Sequence, residues 1–228
     1  VDDMFKEYFE TQKENAKEKK PRIVFFDAKP YDSHAFQEVN RDFGFDIKYV
    51  AYRLSEDTAV VARDADVVCA FVNDDLSRPV VDALAANGVR LIAMRCSGYN
   101  NVDLEAAAGR LPVVRVPAYS PDAVAEHAVA LMLTLNRKTH RAYYRTRDSN
   151  FSINGLSGFD MRGKVAGVIG TGRIGKALIR ILRGFDMRVL GYDLYPDKKA
   201  ASQLGFEYVD LDTLYREADI ISLHSPLT

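Results

Sequence analysis

The segment GVIGTGRIGKA, residues 167–177, constrains the fold of this chain more than any other feature. Gly170, Gly172 and Gly175 form a G-x-G-x-x-G array between an apolar run, KVAGVIG (164–170), and a helix-patterned stretch from Ile174 to Phe185. Without that context the spacing says little, because glycines serve turns in many folds. Within it each glycine has its own task. The first permits a tight turn, the second lets a pyrophosphate approach the backbone, and the third lets helix and strand pack closely. Free N–H groups around Arg173 and Ile174, at the helix N-terminus, then face the phosphates.

The next apolar run, RVLGYD (188–193), ends on Asp193. A carboxylate there can accept the hydroxyls of an adenosine ribose and repels a 2′-phosphate, so NAD rather than NADP is the expected cofactor. Two further strands are expected at EYVDL (207–211) and DIISLH (219–224), with a helix between them closing over Leu214 to Ala218. A doubly wound sheet of strand order 3-2-1-4-5-6 holds its ligand between strands one and four. His224, Ser225 and Pro226 are therefore expected on the far wall of the cofactor crevice. The sequence stops at Thr228, so this sheet reads as incomplete after its fourth strand, which is left as an apolar edge. The expectation is a fragment, a truncated product, or a protein whose remaining sheet comes from elsewhere.

The preceding half follows the same alternation. RIVFFDA (22–28), FDIKYV (45–50), DVVCAFV (66–72), VRLIAM (89–94) and PVVRV (112–116) read as strands buried on both faces. SHAFQEVNRDFG (33–44) and SRPVVDALAANG (77–88) read as helices closed by glycine. Alternating strand and helix imply an α/β fold with parallel sheets. From Ser120, an N-cap followed by Pro121, one long helix is expected to about residue 147, connecting two domains. Its basic end, NRKTHRAYYRTR, complements the helix dipole. The expected organisation is an N-terminal extension (1–20), a first domain (21–119), and a connecting helix with the glycine-motif domain (120–228).

Charge balance narrows the partners. The 31 Lys and Arg nearly cancel the 32 Asp and Glu, and the pI is about 6.5. No global field favours nucleic acid or an anionic membrane, and a small neutral or anionic ligand is expected. No apolar run reaches the roughly 18–20 residues of a membrane span. Residues 1–20 are too charged for a signal peptide; Met4, Phe5, Tyr8 and Phe9 make them either a short amphipathic helix or a remnant of processing. Cys69 and Cys96, in apolar runs, read as buried thiols of a cytoplasmic protein.

Four stretches carry a resemblance: MRCSGYNNVD (94–103), VPAYSPDAVAEHAVALMLTLNR (116–137), GVIGTGRIG (167–175) and DIISLHSPLT (219–228). Together, from about Arg22 to Thr228, they resemble the D-2-hydroxyacid dehydrogenase family, in particular its bacterial fermentative D-lactate branch. The resemblance implies a flavodoxin-like substrate domain followed by a Rossmann domain, with reversible reduction of pyruvate to D-lactate by NADH. It implies that backbone amides of Ser97, Gly98 and Tyr99 bind the substrate carboxylate and that Tyr119 closes on substrate and nicotinamide. It also implies a homodimer or higher oligomer through the helix from Ser120. The family's catalytic Arg, Glu and His follow the strand-four loop, so none is expected in this chain. Among His34, His127, His140 and His224, only His224 lies near the cofactor, and it reads as a wall rather than an acid. The 228 residues alone are expected to be inactive. A non-catalytic NAD(H)-binding module, like the family's corepressor branch, and a dehydrogenase for another 2-hydroxy acid stay open at this point.

Overall fold

The structure, a computed structural model, describes residues 20–225; the expectations for residues 1–19 and for Pro226 lie outside them. The chain divides between Tyr119 and Ser120 into two compact units. In the first, β1 (Arg22–Phe25), α1 (Pro30–Phe43), β2 (Asp46–Tyr49), a 3-10 turn (Ala59–Ala62), β3 (Val67–Ala70), α2 (Arg78–Ala86), β4 (Leu91–Met94), α3 (Leu104–Ala107) and β5 (Val113–Arg115) follow one another. All five strands are parallel, in the order β2-β1-β3-β4-β5. One face of the sheet carries the core: Val24, Val68, Ile92 and Met94 pack with Val80, Val81 and Leu84 of α2. The i, i+1, i+4 spacing of those three puts them on one side of the helix.

Burial on both faces does not extend to the edges. Along β2, exposed and half-buried residues alternate, and two of the three β5 residues are exposed. An edge strand has a neighbour on one side only and less cover above and below, so an apolar run does not reveal where in the sheet it sits. Helix α1 ends at Gly44 (φ 66°), whose N–H bonds to the Asn40 carbonyl, as the sequence led one to expect.

In the second unit the helix capped by Ser120 is two helices, α4 (Pro121–Arg137) and α5 (Thr139–Arg147). Ser120 Oγ accepts from Ala123 N at 3.1 Å. Lys138 breaks the run with left-handed backbone, φ 52° and ψ 35°. A segment further along the chain meets the helix end at this break: Lys138 Nζ donates to Ser157 O (2.7 Å), and Asn136 exchanges two bonds with the Phe159 backbone (2.8 and 2.9 Å). Helix α5 has no buried residue, so no apolar face carries the helix through the break.

The glycine-motif sheet follows as β6 (Val165–Ile169), α6 (Arg173–Gly184), β7 (Arg188–Tyr192), α7 (Lys198–Leu204), β8 (Glu207–Tyr208), α8 (Leu211–Glu217) and β9 (Ile220–Leu223). Its strands are parallel in the order β8-β7-β6-β9, the first four places of a doubly wound sheet. The expected strand EYVDL stops at Tyr208. Asp210 accepts from Thr213 N (2.7 Å) and Thr213 Oγ1 (3.0 Å), which caps α8 and takes Leu211 into the helix. Ala177, Leu178, Ile179 and Leu182 of α6 are buried, in a core shared with Ala125 and Val129 of α4. Strand β9 is an edge among the described residues, with Ile221 43% and Leu223 66% exposed.

Candidate functional site

The three motif glycines answer three different demands. Gly170 has φ +87°, and a Cβ there would lie 2.6 Å from His224 C and 2.7 Å from Ser225 N, the backbone that leaves β9. Gly175 sits where a Cβ would lie 2.1 Å from the Gly170 carbonyl oxygen, so α6 starts in contact with the turn. Around Gly172 a Cβ would meet nothing within 4 Å. The middle glycine therefore borders open space, while its neighbours are closed by protein. Gly172 caps α6, and the first-turn N–H groups of Arg173 and Ile174 have no carbonyl one turn back to bond.

This turn lies at the carboxyl end of β6, between β7 and β9, where the chain first builds outward on one side and then crosses to the other. Gly170 N donates to Tyr192 O (2.8 Å) and His224 N to Ile169 O (2.7 Å), tying the turn to both flanking strands. Such a reversal of strand order leaves a crevice above the sheet.

Asp193 follows β7 directly. Its Oδ2 accepts from Thr171 N (2.7 Å) and Thr171 Oγ1 (3.1 Å), and its Oδ1 from Tyr195 N (2.9 Å). These bonds, led by the Tyr195 N–H, hold the carboxyl below the usual carboxylate range. A carboxylate has about four acceptor positions, so three protein donors leave about one, on Oδ1. The free capacity is smaller than the two ribose hydroxyls considered from sequence. Thr171 is almost fully buried, and neither it nor Tyr208, whose Oη lies 2.6 Å from Thr171 Oγ1, was singled out from sequence. Thr171 lies inside the motif and was legible; Tyr208, on β8, had no local signal.

His224 Nε2 lies 2.9 Å from Ser222 Oγ, and burial lowers its pKa. Ser225 continues the chain beside Gly170, and Pro226 lies outside the described residues.

In the first unit, the loop leaving β4 runs beside the chain leaving β5. Val116 N donates to Cys96 O (3.2 Å), and Ser97 Oγ to Pro117 O (3.4 Å). Arg115 Nη1 donates to Ser97 O (3.0 Å) and Ser97 Oγ (3.1 Å), and its guanidinium lies 5.2 Å from the Tyr99 ring centre. In a trans peptide the carbonyl and the next N–H point opposite ways. With the Ser97 carbonyl held by Arg115, the Gly98 N–H points away from it. Gly98 and Tyr99 are exposed, as is Tyr119. Arg115 was not picked out from the sequence, where it reads as one cation in a strand. Among the described residues, no group of three or more His, Cys, Asp or Glu is arranged to hold a metal, and no helix is long and apolar enough to cross a membrane.

Comparisons with known proteins agree with this architecture. Residues 129–228 match the family model of the D-isomer specific 2-hydroxyacid dehydrogenase, NAD binding domain. D-lactate dehydrogenase of Escherichia coli K12 is 57% identical over 208 residues, which cover 91% of this chain and 63% of that protein. A 2-hydroxyacid dehydrogenase homolog of Haemophilus influenzae is 50% identical over 208 residues, 91% of this chain and 62% of that one. The apo-structure of D-lactate dehydrogenase from Escherichia coli superposes with TM-score 0.85 at 57% identity, covering 91% of this chain and 66% of that chain. D-lactate dehydrogenase with NAD+ from Lactobacillus jensenii superposes with TM-score 0.70 at 31% identity, over 91% and 63%. The chain thus spans less than two thirds of the length of these relatives. With the glycine turn, the acidic end of β7 and the parallel strand order all in the matched region, residues 129–228 carry the NAD-binding domain of the D-2-hydroxyacid dehydrogenase family, and the chain is similar to D-2-hydroxyacid dehydrogenases over 91% of its length.

Proposed function

We propose that this chain is the substrate-loop and cofactor-binding portion of an NAD-dependent D-lactate dehydrogenase, acting on pyruvate and D-lactate. The observation that carries the reading is the open space at Gly172 beside an ionised Asp193, in a chain 57% identical to a D-lactate dehydrogenase. NAD, when bound, supplies the hydride acceptor. Gly172 and the N–H groups of Arg173 and Ile174 hold its pyrophosphate, and Gly170 and Gly175 shape the turn. Asp193 takes the adenosine ribose, and His224 and Ser225 wall the crevice. The Gly98 N–H, with those of Ser97 and Tyr99, receives the substrate carboxylate, and the Arg115 cation adds a favourable field. Tyr119 covers the substrate.

No catalytic acid is assigned within the described residues. An acid for carbonyl reduction has to be protonated at working pH, and burial drives His224 the other way while Ser222 occupies its Nε2. The reading therefore has the 228 residues binding NADH without turning over pyruvate. It also places the protein in the cytoplasm as a homodimer or higher oligomer through α4, whose Leu131 and Leu135 are exposed. The test is NADH titration and pyruvate-dependent NADH oxidation on the same 228-residue protein. Saturable NADH binding with no turnover is expected. Turnover would give His224 the role of acid, and no binding would overturn the placement of the pyrophosphate at Gly172.

A further inference from the structure

Beyond Asp193 itself, a chain of hydroxyl groups stands behind it. Asp197 N donates to Tyr208 Oη at 3.1 Å. Tyr208 Oη lies 2.6 Å from Thr171 Oγ1, and Thr171 Oγ1 lies 3.1 Å from Asp193 Oδ2. The direction of the whole chain is fixed by its ends. An ionised carboxylate only accepts, so the Thr171 hydroxyl spends its hydrogen on Asp193. Tyr208 then has to supply the hydrogen to Thr171, and its own lone pair takes the Asp197 N–H.

The relay is anchored at both termini. Asp197 caps α7 through Ala200 N (3.0 Å), and its Oδ2 pairs with Lys176 Nζ of α6 at 2.6 Å. Thr171 is held by its buried position, and the Tyr208 ring packs edge-on against Phe206, centroids 4.9 Å apart. Oδ2 of Asp193 is thereby fully used by Thr171, through both N–H and O–H, and the remaining acceptor position lies on Oδ1.

We infer that Tyr208, acting through Thr171, is the positioning residue that fixes Asp193 for a dinucleotide with a free ribose 2′-hydroxyl, and so sets NAD over NADP. This rests on the NAD-binding reading above. Removing the Tyr208 hydroxyl leaves the buried Thr171 Oγ1 without its incoming donor, so the hydroxyl that holds Asp193 Oδ2 is no longer itself held in place. The carboxylate then loses its fixed orientation, and the ribose has to pay for ordering it.

The test is NADH and NADPH affinity, by NADH fluorescence titration, in Tyr208→Phe, Thr171→Val, Thr171→Ser, Asp193→Ala and the double variant Tyr208→Phe/Asp193→Ala. Tyr208→Phe keeps the ring against Phe206. It is expected to weaken NADH about 3- to 10-fold, the worth of one net hydrogen bond, and to leave NADPH unchanged. Thr171→Val is expected to do the same, and Thr171→Ser to restore wild-type affinity. In the Asp193→Ala background, Tyr208→Phe is expected to add nothing. An equal loss for both nucleotides, or a loss that persists without Asp193, would make Tyr208 merely structural and overturn the inference. Intact wild-type binding with no change in Tyr208→Phe overturns it as well. Absence of saturable NADH binding in the wild type instead removes the NAD-binding reading, and the relay's role falls with it.

Discussion

Substituting alanine at Gly172 and at Gly175 separates room for the cofactor from packing of the fold. At Gly175 the new Cβ would lie 2.1 Å from the Gly170 carbonyl oxygen and 3.5 Å from Val168 Cγ1. The first contact is with backbone, so α6 has to move off the turn. Overpacking of this kind costs about 1–3 kcal/mol. For a domain of about 100 residues, at about 4 °C per kcal/mol, the melting temperature of the second unit should fall by roughly 4–12 °C. At Gly172 the same methyl group meets nothing within 4 Å, and the backbone φ of −67° suits any residue. Stiffening the unfolded chain gains a few tenths of a kcal/mol, and alanine as N-cap loses a similar amount. Its melting temperature should therefore stay within about 2 °C of wild type. The methyl group nevertheless fills the space into which a pyrophosphate would come. Loss of one charge-assisted hydrogen bond, about 1.5–3 kcal/mol, weakens NADH roughly 10- to 150-fold. Circular dichroism melting and NADH fluorescence titration read the two effects separately, and the absence of tryptophan keeps indole emission out of the second. Undiminished NADH affinity in Gly172→Ala would refute the placement of the pyrophosphate. An unchanged melting temperature in Gly175→Ala would refute the packing argument.

Other titratable groups give further tests. Burial pushes the Cys69 thiol up to about 12, so an aromatic disulfide reagent at pH 8 should react far more slowly with it in the folded protein than after denaturation; equal rates would contradict its burial. Burial lowers the pKa of His224, so its NMR titration should have a midpoint below about 6.5, and the fold should lose stability as pH falls below that value. A midpoint above about 6.5 would mean a charge partner absent from the described residues. Asp193 is lowered, first by the Tyr195 N–H and then by Thr171. The stability of wild type over Asp193→Ala should therefore be present above about pH 4 and vanish as pH falls through the lower folded value. An advantage already lost by pH 5 would refute the bonding described.

What was legible in the sequence was local. The glycine turn could be read because each glycine's need arises within a few residues of it. The caps at Ser120 and Gly44 were equally plain. The break at Lys138 was hidden because the partners of the Asn136 and Lys138 side chains, residues 157–159, lie outside the helix, and no periodicity within 120–147 records that. At EYVDL a local signal was present and overridden: Asp210 followed by Thr213 is a cap, but the apolar alternation was read through it. Tyr208 behind Asp193, and Arg115 behind Ser97, are joined only by the parallel sheets. A residue whose partner is supplied by topology carries no mark of its own in the sequence.

The same topology gives opposite results at the two places where strand order reverses. In the first unit that place lies between the carboxyl ends of β1 and β3, and it is filled. The Arg95 guanidinium lies 4.6 Å from the centroids of both Phe25 and Phe71 and donates through Nη2 to Asp27 O at 3.0 Å. Asp74 closes it further, accepting from Leu54 N (2.7 Å) and Phe71 N (2.6 Å). In the second unit the corresponding place, between β6 and β9, is kept open by Gly172. The ligand groups proposed in the first unit are accordingly displaced to the ends of β4 and β5. Arg95, with its side chain 10% exposed, is therefore a structural plug. Its removal in Arg95→Ala leaves Asp32 and the Asp27 carbonyl without their cation, at a cost of about 3 kcal/mol. The first unit should melt roughly 12 °C lower, while NADH affinity stays unchanged. A variant that melts normally but binds NADH poorly would show that this crevice serves the ligand after all.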